Sequence, residues 1–136
     1  MDCVFCKVVK GELPAYKVYE DEKTLAFLDI YPVYKGHTLV VPKVHTENIS
    51  DISESDLAAV AATSKKVAKL LKEKLNCDGV NLVQSNGKAA SQVIMHFHMH
   101  VVPRFVNDGL NLWSHGEKAS FNLKEIHAEI IRGTVE

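Results

Sequence analysis

Three histidines alternate with apolar residues in segment 94–104 of this 136-residue chain. They are His96, His98 and His100, and their neighbours are apolar and partly β-branched, which is typical of a β-strand. Side chains at every second position of a strand project from one face, about 7 Å apart. The pattern therefore predicts a row of imidazoles on one face of a strand. The residues between them are expected to face the core: Phe97, Met99 and Val101.

Such a row is an unusual structural feature, because imidazole titrates near neutral pH and three charged rings would repel one another. We therefore expect it to serve in catalysis or in metal binding. Neutral imidazole is a competent nucleophile toward activated phosphorus, and a second imidazole two residues further along could donate a proton. His98 as nucleophile, His100 as proton donor or phosphate contact, and loop 91–93 as oxyanion support form a coherent arrangement.

The composition is that of an ordinary globular protein, with 46% hydrophobic and 24% charged residues. The length suits one compact domain, and we expect a single domain over residues 1–136. The formal net charge is −1, which excludes the basic surface field of general nucleic-acid binding proteins. Any nucleotide ligand is therefore expected to be small and held by specific contacts.

The chain has no apolar run near the ~20 residues that a membrane span needs, and its first residues lack the pattern of a signal peptide. We expect no membrane association and an intracellular, cytoplasmic location. Three cysteines are too few for a disulfide scaffold. Cys3 and Cys6, in a C-x-x-C spacing, fit either half of a tetrahedral metal site or a pair of reduced thiols.

The remaining elements predict an α+β fold, in which an antiparallel meander sheet accompanies one long helix and a short C-terminal helix. Four further segments are expected to be strands: residues 16–20, 24–29, 37–41 and 79–84. Ser53, with Asp56 three residues later, predicts the start of a long amphipathic helix that ends before Gly79. Asn122 and Glu125 predict the start of the C-terminal helix in the same way.

The sequence His-Phe-His-Met-His-Val-Val at residues 96–102 resembles the H-φ-H-φ-H-φ-φ signature of the histidine triad (HIT) nucleotide hydrolases and transferases. Residues 27–30, 36–43 and 85–92 are similar to other blocks of that family, in the family's order. The chain is therefore identified as a member of the HIT family. Its N-terminal cysteine pair resembles the zinc-containing bacterial and archaeal HIT-like branch, which is related to HINT proteins.

The resemblance implies a fold, a substrate class and a role for each matching residue. The substrates would be adenosine phosphoramidates, dinucleoside polyphosphates or adenylylated molecules, cleaved by a homodimer whose two sheets join. His98 would carry the nucleotidyl intermediate, His100 would contact the α-phosphate, and His37 would lie in the same network, while Asp29 would bind the ribose hydroxyls. The remaining nucleotide-binding residues would be Phe5, Val8, Phe27 and Ile30 in the purine pocket, and Asn86, Ser91, Gln92 and Val93 in a loop near the phosphate.

Two positions of this loop depart from the family pattern. Ser91 stands where glycine is common, and Val93 where some members carry serine or threonine. These departures affect the conformation of the loop and, through it, the delivery of a proton to the leaving group.

The resemblance also implies a structural zinc ion. Some HIT proteins with an N-terminal C-x-x-C bind zinc through four side chains. The matching residues in this sequence are Cys3, Cys6, His45 and His96. Two thiolates and two imidazoles form a closed tetrahedral set with no open position, which is typical of a structural rather than a catalytic site.

Two other functions remain open at this stage. A metal-dependent hydrolase could use His96, His98 and His100 as ligands of a metal that activates water. A nucleotide-binding or scaffold protein could have the same pocket with only incidental catalysis. The sequence identifies neither the leaving group nor the role of Trp113, which could contact a pocket or a partner subunit.

Overall fold

The structure, a computed structural model, describes residues 2–112 and 116–133. Trp113 lies outside these residues. The helices are α1 (Val4–Val9), α2 (Glu54–Leu75) and α3 (Leu123–Ile131), and a short 3-10 turn covers Lys88–Ala90. The strands are β1 (Lys17–Glu20), β2 (Thr24–Leu28), β3 (Thr38–Pro42), β4 (Gly79–Val83) and β5 (Met99–Arg104). No helix in the described part of the chain combines the length and the apolar character that a membrane span requires.

Within the described residues, the strands form one antiparallel sheet in the order β1-β2-β3-β5-β4. The first three strands form the predicted meander. Because β3 and β4 are both antiparallel to β5, they run in the same direction, and the connection between them must cross the sheet. Helix α2 makes this crossing, and β5 then returns between β3 and β4. The predicted α+β class with an antiparallel sheet is confirmed.

Each face of the sheet is covered by one helix. The apolar stripe of α2 packs on one face, in a buried cluster of Ala26, Val40, Val60, Val67, Leu71, Phe97 and Val101. The short helix α1 packs on the other face, in a cluster that includes Cys3, Phe5, Val8, Leu25, Phe27, Leu39 and Val41. The candidate functional residues lie on the α1 face.

Both predicted helix starts are confirmed by their caps. The Ser53 hydroxyl accepts a hydrogen bond from the Asp56 amide at 3.0 Å, and the Asn122 side-chain oxygen accepts one from the Glu125 amide at 3.2 Å. These bonds satisfy amide groups that the first turn of a helix leaves without partners. Helix α2 ends before Gly79, as predicted, with Asn76 in the left-handed conformation.

The prediction of a strand through the whole histidine segment is wrong for residues 94–98, because β5 begins only at Met99. The β3–β5 ladder stops near Pro42, which has no amide hydrogen to donate. The Pro42 carbonyl instead accepts a hydrogen bond from the His96 ring, and the Phe97 amide donates to the Thr46 carbonyl. The predicted alternation survives this bend, since Phe97 is buried on the α2 face and His98 against Phe5 on the other.

Helix α1 is absent from the sequence prediction. Its six residues are too few to show a helical period, and its cap is a cysteine, because the Cys3 Sγ accepts from the Cys6 amide at 3.4 Å. The other differences are shifts of one residue at strand ends: β1 begins at 17, β2 ends at 28, β3 spans 38–42 and β4 ends at 83.

Candidate active site and metal centre

A cavity of about 590 Å³ opens between α1 and the sheet, within the range of about 300–1,000 Å³ found for small-molecule sites. Every residue predicted for the purine pocket lines it, as do the predicted ribose ligand and two of the triad histidines. The predicted residues in its wall are Phe5, Val8, Phe27, Asp29, Ile30, Ser91, Val93, His98 and His100.

His98 presents a defined ring nitrogen to this cavity. Its Nδ1 lies 2.7 Å from the His96 carbonyl oxygen. Because a carbonyl can only accept, Nδ1 carries the proton, and Nε2 carries the lone pair of the neutral ring. Burial of the ring, which is 8% exposed, lowers the pKa of His98. The neutral, nucleophilic form is therefore the stable form near neutral pH.

His37 and His100 are linked by hydrogen bonds that also define their tautomers. The Val33 amide donates to His37 Nδ1 at 3.0 Å, so the proton of the neutral His37 ring is on Nε2. This Nε2 lies 2.9 Å from His100 Nδ1, which accepts the bond and leaves the His100 Nε2–H as a donor. Burial, together with the neighbouring rings of His98 and His37, lowers the pKa of His100 to about 4.

Asp29 lies at the cavity wall, next to His37. One carboxylate oxygen accepts from the Tyr31 amide at 2.8 Å, and the other lies 3.5 Å from His37 Nε2. Burial lowers the pKa of His37, although the negative charge of Asp29 opposes this effect. The carboxylate is held in place by the chain that follows it, and its contact with ribose remains a prediction.

Gln92 does not line the cavity, because its side chain is fully used within the protein. It is 3% exposed, its Oε1 accepts from the Gly87 amide at 2.8 Å, and its Nε2 donates to the carbonyls of Glu47 and Ile94 at 2.7 and 3.1 Å. The Gln92 side chain thus stabilises the conformation of the loop that precedes β5. Its predicted contact with the phosphate remains a prediction.

Asn86 has a similar position outside the cavity wall. Its Oδ1 accepts from the Ile49 amide at 2.7 Å, and its Nδ2 donates to Gln84 Oε1 at 2.7 Å. Ser91, by contrast, lines the cavity with φ of +71°, a left-handed conformation that glycine adopts without steric cost. This explains why glycine is common at this position in the family that the sequence resembles.

Four side chains converge on a single point beside α1, and we call this group the Cys/His centre: Cys3, Cys6, His45 and His96. The two histidine Nδ1 atoms are 3.2 Å apart, and sulfur-to-nitrogen distances across the group are 3.3, 3.4 and 3.6 Å. A tetrahedral zinc ion would separate two nitrogens by about 3.3 Å, and a nitrogen from a sulfur by about 3.6 Å. The donor set therefore fits zinc.

A second contact prepares His96 for this role. Its Nε2 lies 2.8 Å from the Pro42 carbonyl, so Nε2 carries the proton and Nδ1 presents its lone pair to the Cys/His centre. Metal-binding histidines generally donate their other ring nitrogen in this way. The ring is completely buried, which keeps this arrangement away from water.

Comparison with known proteins identifies the family. The family model described as the HIT domain matches residues 10–107. The chain belongs to the HIT domain family. An uncharacterized HIT-like protein of Methanocaldococcus jannaschii is 46% identical over 128 residues, which cover 94% of this chain and 98% of that protein. An adenosine 5′-monophosphoramidase of Candida albicans is 40% identical over 106 residues, covering 75% and 70% of the two chains.

The fold of this HIT protein is shared by solved structures. One is a crystal structure of a Zn-bound histidine triad family protein from Mycobacterium smegmatis, with a TM-score of 0.79 and 43% identity. The match covers 86% of this chain and 85% of that one.

The triad of this HIT protein does not form one metal site. In residues 2–112 and 116–133, the groups of side chains close enough to share an ion are the Cys/His centre and a second set, Asp29, His37 and His100. His98 belongs to neither. In the second set, the 2.9 Å between His37 and His100 is a hydrogen-bond distance. The geometry therefore does not support a hydrolase in which His96, His98 and His100 share a metal.

Several residues that line the cavity were not predicted from the sequence. They are Val4, Leu13, Pro14, Ala15, Leu28, Tyr31, Leu39 and Ile94. Leu13 and Tyr31 are large side chains that remain exposed, and a contiguous apolar surface next to a cavity is typical of a ligand-binding groove. That signal requires the fold, because the sequence does not show which apolar residues stay uncovered.

We predict that Gln92→Ala lowers the free energy of unfolding by about 2 kcal/mol, because it removes three hydrogen bonds around the loop. Urea denaturation measures the change, with Lys88→Ala as the control. Lys88 is exposed in the same loop, and its substitution should change stability by less than about 0.5 kcal/mol. Equal stability of the two variants would contradict a structural role for the Gln92 amide.

Proposed function

We propose that this HIT protein cleaves the α-phosphate linkage of purine nucleotides through a covalent nucleotidyl intermediate on His98. The hydrogen bond between His98 Nδ1 and the His96 carbonyl carries this proposal, because it leaves the Nε2 lone pair at the cavity. Neutral imidazole in this tautomer is the form that attacks phosphorus. The cavity beside it has the size and the apolar wall that a purine nucleoside requires.

The remaining side chains suit the steps of such a reaction. As Nε2 of His98 forms its bond to the α-phosphorus, the bond from phosphorus to the leaving amine or oxygen breaks. The His100 Nε2–H can donate to a phosphate oxygen or to the departing group, and the backbone at residues 91–93 can donate to the developing negative charge. Water then attacks the phosphorus, releases the nucleoside monophosphate and restores the His98 imidazole.

The substrate class follows from the linkage and from one relative. Adenosine phosphoramidates, dinucleoside polyphosphates and adenylylated molecules all place a leaving group on the α-phosphate. The Candida relative is an adenosine 5′-monophosphoramidase, which favours the phosphoramidate as the first substrate to test. Asp29, at the cavity wall, is proposed to bind the ribose hydroxyls, and Phe5, Val8, Phe27 and Ile30 to enclose the purine.

Mixing the protein with an adenosine phosphoramidate should give an AMP adduct on His98, which intact-mass analysis and peptide mapping can detect. His98→Ala should form no adduct and lose at least about 10³-fold in kcat. Exposed His127, on α3, supplies the control, and His127→Ala should keep full activity. Tight AMP binding by the wild-type protein without any adduct or turnover would instead favour a nucleotide-binding or scaffold role.

We also propose that the Cys/His centre holds one structural zinc ion. Its ligand set is closed, so the ion would connect α1 with the segments around His45 and His96 and would not bind substrate. The similar histidine triad protein of Mycobacterium smegmatis was solved with zinc bound, which supports this proposal. Cysteines stay reduced in the cytoplasm, so thiolate ligands agree with the cytoplasmic location expected from the sequence.

Protein purified without chelator should contain about one zinc ion per chain. Cys6→Ser should lose most of this metal and unfold at a lower temperature, because one of four ligands is gone. Cys77→Ser is the matched control, since Cys77 is a buried thiol outside the centre. Equal zinc content in both variants, measured by elemental analysis, would refute the proposed ligand set.

We further propose that residues 1–136 form a single HIT domain and that two copies form a homodimer. Strand β4 is at the edge of the sheet within the described residues, where its free hydrogen-bonding groups can pair with another chain. Helix α3 exposes a set of large apolar side chains: Leu123, Ile126, Ile130 and Ile131. Such a surface is typical of a protein interface.

Sedimentation equilibrium should give about twice the 15.1 kDa mass of one chain. Replacing Leu123 and Ile130 together by Glu should shift the protein toward the monomer, because two charges would have to be buried in the interface. Lys124→Ala, on the same helix, should leave the mass unchanged. A monomeric wild-type protein at micromolar concentration would contradict the proposal.

A further inference from the structure

We propose that a second cavity, next to the first, receives the leaving group of the substrate, an inference that rests on the function proposed above. In this subsite, Glu47 favours a leaving amine whose far end carries a positive charge. The leaving group is the part of the substrate that stays attached to the α-phosphorus until His98 attacks. Its surroundings therefore determine which substrates are preferred, whereas the bond that breaks is the same for all of them.

The second cavity adjoins the first along an edge formed by three residues that line both: Val4, Val93 and Ile94. Its volume is about 450 Å³. Val4 and Val93 are 48% and 81% exposed, so they form an open edge between the cavities and not a closed partition. Val93 also belongs to loop 91–93, whose backbone is proposed to contact the α-phosphate. The shared edge is therefore next to the position where the phosphate and the leaving group separate.

The Gln92 amide ties the far wall of the second cavity to this shared edge. Its Nε2 donates to the carbonyls of Glu47 and Ile94, at 2.7 and 3.1 Å. The Glu47 amide in turn donates to the two oxygens of the Asp51 carboxylate, at 3.1 and 3.0 Å. The main chain of Glu47 is thus held on both sides, and its position relative to Ile94 is fixed before any ligand binds, which lowers the cost of binding.

The wall of the second cavity carries negative charge without a positive side chain to balance it. Its described residues include Asp2 and Glu47 but no lysine or arginine. Asp2 forms an ion pair with Lys7 at 2.9 Å, whereas within residues 2–112 and 116–133 no cation pairs with the Glu47 carboxylate. Cys3 and His45 also line this cavity. They add no net charge, because the two thiolates of the Cys/His centre would balance the charge of a zinc ion.

This distribution of charge distinguishes between the possible leaving groups. A polyphosphate would bring several negative charges to a wall that has no cation to pair with them, and like charges at close range oppose binding. An alkylamine can instead lay its methylene chain against the apolar part of the wall, which consists of Val4, Val93, Ile94 and Met95. A protonated amino group at the far end of this chain can pair with the Glu47 carboxylate. The preferred substrate class is therefore an AMP amide with an aminoalkyl leaving group.

Calorimetric binding of four AMP amides to His98→Ala, which has no nucleophile to cleave them, measures the subsite without turnover. Their leaving groups are ammonia, pentylamine, 1,5-diaminopentane and 5-aminopentanoate, so three of them share a five-carbon chain that ends in a methyl group, a cation or an anion. The pentyl amide should bind several-fold more tightly than the unsubstituted amide. The diaminopentane amide should bind about tenfold more tightly than the aminopentanoate amide at low salt, and high salt should reduce this ratio.

Glu47→Gln in the same background should reduce the ratio between the cationic and the anionic amide to about twofold, because the side chain keeps its shape and loses its charge. Glu22→Gln is the matched control and should keep the ratio, since Glu22 is exposed in the turn between β1 and β2. Val93→Ser should reduce the advantage of the pentyl amide over the unsubstituted amide, because the shared edge becomes polar. The same ratios in kcat/KM, measured in protein that retains His98, provide a second measurement.

The outcomes separate the subsite from the proposed function. Equal affinity for the three five-carbon amides, tighter binding of the anionic one, or an unchanged ratio in Glu47→Gln would overturn the subsite. A wild-type protein that binds the amides in the expected order but forms no adduct would refute the proposed function and leave the subsite supported. A wild-type protein that forms the adduct from all four amides, with equal Kd for each, would do the reverse.

Discussion

The hydrogen bond from the His96 ring to the Pro42 carbonyl is the interaction on which the site depends. Because proline has no amide hydrogen to donate to the sheet, the ladder between β3 and β5 ends near Pro42. The Pro42 carbonyl instead accepts a hydrogen bond from His96 Nε2. The chain bends there, and the opposite nitrogen of His96 faces the two cysteines. His98, two residues on, then lies in the cavity wall. This bond therefore orients His96 toward the Cys/His centre, while His98 keeps, at the cavity, a ring nitrogen that has no partner among the described residues.

The parts of the fold that follow from local rules could be predicted from the sequence. The apolar period of α2, the caps Ser53 and Asn122 and the alternation of buried side chains are all local signals. Helix α1 has no such signal, because six residues held by a cysteine cap and by packing show no period. The bend before Met99 leaves the alternation unchanged, and the insertion of β5 between β3 and β4 is a long-range pairing that no local pattern encodes.

The site shows the same division between residue type and residue geometry. Histidine, cysteine and aspartate at these spacings indicate where chemistry can occur, and the structure brings them together. Gln92 and Asn86 differ, because a side-chain amide both donates and accepts and can satisfy the backbone as well as a ligand. Burial determines which of the two occurs, and here both amides bond to the protein itself. Tautomers likewise follow from partners, such as the Val33 amide, that the sequence does not mark.

The cavity wall contains few charged groups, which bears on the kind of phosphate proposed to bind there. Burial keeps His98 and His100 neutral, and among the described residues that line the cavity there is no lysine or arginine, only the carboxylate of Asp29. Neutral N–H donors stabilise a single negative charge better than a double one, because burying charge without a countercharge is costly. An α-phosphate substituted on two sides carries one negative charge, whereas a terminal phosphate carries nearly two. This charge pattern supports the proposed attack at an internal linkage, where the α-phosphate carries a single negative charge.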